Sequence, residues 1–227
     1  MLLVPSCKKE EEIMASVTIK TNKDVSNSSI LSDENFGDSD KLGMGYKDPN
    51  INRTFLGFDL SLIPTNAVII EAKLHMHQRS IASWGSITFD IYRVTGAWTE
   101  NVLTWNNQPA VEGTPTITGL TCAHIIANTW RDWTVTSLIT EMITNSADSM
   151  MLRIQTESGA DESQVFSSKE YGTDYQPYLI ITYELPSKVN VGDAWKPASD
   201  MKVNVGDAWK LASGMKVNIG DAWKEVF

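Results

Sequence analysis

The stretch from Asn52 to Gln78 constrains the fold of this chain more than any other. Phe55, Leu56, Phe58 and Leu60 are interleaved with small or polar residues, Pro64-Thr65-Asn66 interrupts the run, and Val68 to Met76 resumes it. A strand sends successive side chains to opposite faces, and a proline-centred break supplies the reversal, so residues 52–64 and 67–78 read as two strands of a sandwich core.

The same pattern recurs elsewhere. Val17 to Lys20 is a first strand, and Asp24 to Asp48 reads as a polar loop with one or two short strands, punctuated at Phe36-Gly37 and Gly43-Met44-Gly45. Trp84-Gly85 turns the chain into the strand Ser86 to Val94; further strands fall at Met151 to Gln155, Gln164 to Ser168 and Tyr178 to Tyr183. Leu138, Ile139, Met142 and Ile143 recur at helical spacing with Thr136 or Ser137 placed to cap, which predicts one short helix. The fold class is therefore all-β: an antiparallel sandwich with a single helix.

Several of these segments carry a resemblance. Asn52-Arg53 leading into Phe58-Asp59-Leu60-Ser61, then Ile63-Pro64 and Ala72-Lys73-Leu74-His75-Met76, resembles the DNRLRE domain. The likeness extends through Asn35-Phe36-Gly37, Lys41-Leu42-Gly43, Ile91 to Glu100, Leu103 to Pro109, Trp133 to Thr136, Phe166 to Glu170 and Pro177 to Tyr183, so that it covers Val17 to Glu184. Thr134 stands where that pattern usually has Asp, and Lys169 where it often has Arg. The resemblance implies a jelly-roll-like β-sandwich related to carbohydrate-binding modules, of a kind found in secreted and virion proteins. In such modules exposed aromatics and Asn, Gln or Arg side chains hold sugar rings, which makes Tyr46, Arg79 and Trp84 the expected glycan contacts. Trp98 and Trp105 bracket a loop and are read as structural.

Past Pro186 the pattern changes. Lys188 to Lys196 recurs at Lys202 to Lys210 and at Lys216 to Lys224, a 14-residue period in which each unit is two short β segments joined at Gly-Asp. Units this small bury no core alone and must pack on one another, on the sandwich or on neighbouring subunits. Their Gly-Asp-Ala-Trp-Lys signature resembles C-terminal repeats of phage virion proteins, with Trp195, Trp209 and Trp223 as the expected repeat contacts. The chain divides into an arm or leader (1–14), the sandwich (15–185) and the repeats (186–227). In the first segment Cys7 precedes a charged run as in a lipoprotein signal, but five residues separate it from Met1; a translated leader before a start at Met14 and a docking arm are the other readings.

Chemistry is sparse. A net charge of −9 without a basic cluster excludes a nucleic-acid partner, and no apolar run reaches the length of a membrane span. Cys7 and Cys122 differ in context and have no metal-type spacing. His75 and His77 share a strand face as two zinc ligands would, without an identifiable third. Asp161-Glu162, or Glu141 with Asp148, offer carboxylate pairs whose separation sequence does not set. The acidic loop suggests calcium at Asp24, Asp38 and Asp40, although its spacing is not that of an EF-hand. The leading expectation is a non-enzymatic structural component of a virion surface, such as a head decoration, fibre or tail-associated protein, that assembles with itself or other virion subunits through its termini and adds a glycan-binding face. The alternative is a secreted or surface-anchored bacterial protein that binds polysaccharide; an enzyme ranks third.

Overall fold

A computed structural model describes residues 14–124 and 128–185, and beyond them the backbone of six short strands within 188–225; the side chains of 80–84 and of 186–227 are outside the description. The N-terminal segment 1–13, with Cys7, also lies outside it. The chain divides into two compact units, one of residues 16–65 and 69–183, the other of residues 1–15, 66–68 and 184–227.

The larger unit is an all-β sandwich. Its strands are β1 (Met14–Ser28), β2 (Lys41–Lys47), β3 (Asn50–Phe58), β4 (Val68–Trp84), β5 (Ile87–Arg93), β6 (Ile117–Cys122), β7 (Thr129–Thr134), β8 (Ser149–Ile154), β9 (Glu162–Ser167) and β10 (Tyr178–Glu184). They run side by side in the order β1-β10-β4-β9-β2-β3-β8-β5-β6, with β7 paired to β4 and β1 paired also to β3. The β1–β3 pairing curls the sheet back on itself, which closes one side of the sandwich and covers strand edges that would otherwise be open. One helix, α1 (Thr136–Thr144), follows β7 and buries Leu138, Ile139 and Met142.

Alternation decides what is inside. On β4, Leu74, Met76 and Gln78 are fully buried, and they face Trp133 of β7 and Phe166 of β9. Trp133 meets both Phe89 and Phe166 edge to ring, at centroid distances of 5.2 and 6.1 Å, tying three strands through one indole. The intervening β4 residues, His75, His77 and Arg79, fall by the same period on the opposite face.

A second cluster, Val25, Phe55, Val94, Leu103 and Met151, packs against Phe36, Tyr92, Trp98 and Val111. It holds down the loop after β5, and Arg53 fastens that loop. The Arg53 guanidinium donates to both carboxylate oxygens of Glu157 at 2.9 and 3.0 Å and to Gln108 Oε1 at 3.0 Å, and lies 4.5 Å over the Trp105 ring. Trp98 and Trp105 are thus framework residues, as read from sequence, and Arg53 joins them.

Three details differ from the sequence reading. β1 runs on to Ser28, so Asp24 stands in a strand and the loop that follows starts later than expected. β4 continues past Gln78 to Trp84. Helix α1 has Val135 at its N-cap and no side-chain cap, because the Thr136 hydroxyl accepts from the Ala72 backbone N–H of β4 at 3.0 Å.

Described by itself, the smaller unit contains three antiparallel hairpins: β11 (Lys188–Val191) with β12 (Ala194–Pro197), β13 (Lys202–Val205) with β14 (Ala208–Leu211), and β15 (Lys216–Asn218) with β16 (Trp223–Glu225). In the first two, Val191 pairs with Ala194 and Val205 with Ala208, the two-residue spacing that Gly-Asp suits.

Candidate functional site

The outward face of β4 carries a row of rings. Register places His77 opposite Trp130 and His75 opposite Asp132. His75 stacks on Tyr178 with centroids 4.6 Å apart and planes 4° from parallel, and Trp130 meets Tyr178 edge-on at 5.2 Å. His77 then contacts Trp130 at 5.4 Å and Tyr175 at 4.6 Å, and Tyr175 meets Tyr171 at 5.3 Å. Arg79 ends the row, its guanidinium 4.2 Å over the Tyr171 ring.

The segment between β9 and β10 delivers two of these rings. Ser168 opens it by accepting from the Glu170 N–H at 3.1 Å and donating to Ser39 O at 2.7 Å, so that Lys169–Tyr171 makes one tight helical turn. Gly172 has φ +140°, a conformation that side chains disfavour, and Tyr175 N–H closes back on Gly172 O at 3.0 Å. The segment thereby lies over β4 and keeps Tyr171 and Tyr175 partly in water, at 36% and 42% exposure; Trp130 is 37% exposed. Large apolar rings held open to solvent on a rigid sheet are unusual enough to mark a contact surface.

His77 and Arg79 are held by neighbours, whereas His75 Nε2 is buried without a hydrogen-bond partner. His77 Nδ1 lies 2.9 Å from Ser167 Oγ. Arg79 Nη1 donates to Asp40 Oδ2 at 2.9 Å and to Asp40 O at 3.1 Å, and that bond holds the Asp40 carboxyl below its usual range. Burial lowers the pKa of His75 and of His77, so both imidazoles are neutral at pH 7.

Of the three residues expected to touch glycan, Arg79 belongs to this row. Tyr46 does not: its side chain is buried and its hydroxyl donates to Asp48 at 2.7 Å, so it presents no ring face. Trp84 closes β4, but its side chain is outside the described residues, as are those of Trp195, Trp209 and Trp223. His75 and His77 share a face as expected, yet both are packed among rings. Trp130, Tyr171, Tyr175 and Tyr178 were not legible as a set, because three separate segments, β7, the β9–β10 connection and β10, supply them and only the fold brings them together.

A groove of about 260 Å³ lies elsewhere, lined by Ser26, Ser28, Asn50 and Asn52 together with the apolar Leu31, Phe36 and Val165. Its amides largely satisfy one another: Ser28 donates to Asn50 Oδ1 at 2.8 Å, Asn50 to Asn52 Oδ1 at 3.1 Å, and Asn52 to Asn27 O at 2.8 Å.

The acids of the calcium expectation are distributed differently. Among the described residues, Asp24, Glu100 and Glu170 are the carboxylates close enough to share one ion, with ligand oxygens within 4.8 Å of one another, whereas Asp40 is held by Arg79 and Asp38 is not among the three. The Lys169 ammonium lies on two of them, 2.9 Å from Glu100 Oε2 and in contact with Glu170. Burial pulls the Lys169 pKa down, but these carboxylates outweigh it and the ammonium is held above its ordinary value. Asp24 is buried; its Oδ2 accepts from Lys169 N–H at 3.0 Å, its Oδ1 has no partner, and burial pushes its pKa up to about 7. Cys122 is a buried thiol, pushed up to about 11 by burial and therefore a poor nucleophile. No helix is long and apolar enough to cross a membrane among the described residues.

An antiparallel sandwich whose sheet exposes a row of rings has the architecture of a sugar-binding module. The chain belongs to carbohydrate-binding module family 96, whose model matches residues 15–183. The match supports the module part of the expected resemblance; the DNRLRE name and the phage likeness of the repeats are not confirmed by it. No curated protein matches the chain.

Proposed function

We propose that this protein is a non-catalytic module that binds a glycan chain along the ring row of β4, through Trp130, Tyr171, Tyr175 and Tyr178, with Arg79 fixing the Tyr171 end. The observation that carries this reading is the partial exposure of three of these rings on a surface already tied down by strand register and a closed connecting segment. Sugar rings present apolar C–H faces that stack on aromatics, and a platform ordered in advance avoids the cost of ordering loops on binding. An extracellular or cell-surface setting suits such a module.

The virion reading draws on the repeats, which begin past residue 183, where the family match ends; it has no support from that match. The test is retention in native gels cast with polysaccharide. Trp130→Ala should lower apparent affinity at least tenfold, a loss of about 1.4 kcal/mol, while leaving the unfolding midpoint near that of the parent. Unchanged retention in the folded variant refutes the site.

A further inference from the structure

We infer that the three hairpin repeats are a self-association surface, through which one copy of this chain docks on the repeats of a second copy. The first argument is identity. The residues from Lys188 to Lys196 and from Lys202 to Lys210 have one sequence, and those from Lys216 to Lys224 differ from it only in Ile219. Register repeats with sequence: Asn190 stands opposite Trp195, Asn204 opposite Trp209 and Asn218 opposite Trp223, and in each hairpin the Val before that Asn stands opposite a Lys. A surface that fits one hairpin therefore fits the other two, in the same chain or in another copy.

Both faces of such a hairpin need cover. Opposed residues share a face and neighbours in a strand alternate, so Val189, Val191 and Ala194 fall on one face of the first hairpin and Trp195 on the other. Among the described residues each hairpin is a separate two-stranded sheet, and a lone two-stranded hairpin is at best marginally stable in water. Stacked repeats are normally closed by atypical end units with a polar outer face. None of these three departs from the pattern in that way, so covering one hairpin with the next always leaves an apolar face at each end of the stack. The surface that matches such a face is the same hairpin in another copy, joined head to tail.

Charge points to the same partner. Residues 186–227 carry six Lys against four Asp and one Glu, close to neutrality, whereas the whole chain stands at −9. Repulsion between copies therefore arises outside the repeats. Within a repeat the charges are self-complementary: Asp193 falls between the two strands of the first hairpin and Lys188 at its open end, and the other two place Asp207 with Lys202 and Asp221 with Lys216 in the same way. Two hairpins packed turn against open end bring each Asp to the other's Lys, which favours this pairing over a partner of one sign.

The experiment is sedimentation velocity over a wide range of concentration, on the full chain, on a chain ending at Leu185, and on a full chain carrying Val189→Lys, Val203→Lys and Val217→Lys. A fluorescently labelled chain ending at Leu185 is also mixed with unlabelled full chain. The expected result is a mass that rises with concentration beyond that of one chain for the parent, a monomer for both altered chains, and no co-sedimentation in the mixture. A parent that stays monomeric at every concentration overturns the inference. Assembly that survives truncation overturns it by placing the contact on the sandwich, and co-sedimentation of the labelled chain does so by making the sandwich of another copy the partner of the repeats. Assembly that is lost on truncation but kept by the triple variant overturns the valine-bearing face as the surface.

Discussion

Asp24 shows how a single buried acid sets the stability of the sandwich against pH. An aspartate in an unfolded chain titrates near 3.9, roughly, whereas burial holds Asp24 at about 7 in the fold. Between those values the folded chain keeps the proton and the unfolded chain has lost it. Stability therefore falls as pH rises from about 4 to 7 and levels off above. Asp24→Asn removes the charge while keeping an oxygen for the Lys169 N–H. The variant should be more stable than the parent at pH 8, by on the order of a few kcal/mol, with the gap closing toward pH 4. Urea unfolding of both proteins at pH 4, 6 and 8 measures this; a gap that does not depend on pH contradicts it.

Elements are joined through residues whose roles depend on register. Arg53 leaves β3 to reach Glu157, Gln108 and Trp105, so one side chain holds the connection after β8 and the loop after β5 against the sheet. Both partners of the ion pair are largely shielded, with 18% and 14% of their side chains exposed. Arg53→Ala leaves Glu157 with Arg153 Nη2 at 2.8 Å as its remaining cation and should cost about 2 kcal/mol, read as a lowered thermal midpoint. A loss below about 0.5 kcal/mol would mean that the pair contributes no more than an exposed one.

The same dependence explains what sequence could reveal. Period-two alternation marked the strands, and helical spacing marked α1, because both depend on neighbours in the chain. The Asn-Arg motif stood out for the same reason. The ring row did not: His77 and Trp130 lie far apart in sequence and meet only because β7 pairs with β4 in one register. The resemblance made Tyr46 an expected glycan contact, yet its place in β2 buries it. Asp24, Glu100 and Glu170 come from three distant segments, which no local acidic pattern can anticipate.

At the scale of the whole molecule, the ring row lies entirely within the unit of residues 16–65 and 69–183, together with the strand residues that carry it. Ending the chain at Leu185 should therefore leave glycan affinity within about twofold of the full chain, measured by calorimetry; a larger loss would assign part of the binding to the repeats. Oligomers that disappear on the same truncation, seen by light scattering, would place the repeats in self-association instead.

The most direct test is an NMR titration of isotope-labelled protein with an oligosaccharide cut from a polymer that it retains. The prediction is that shift changes concentrate on the Trp130 indole, on residues 75–79 and on residues 171–178. Changes centred instead on Ser26, Ser28, Asn50 and Asn52, with the ring row unmoved, would transfer the binding site to the groove between β1, β2 and β3 and contradict the assignment.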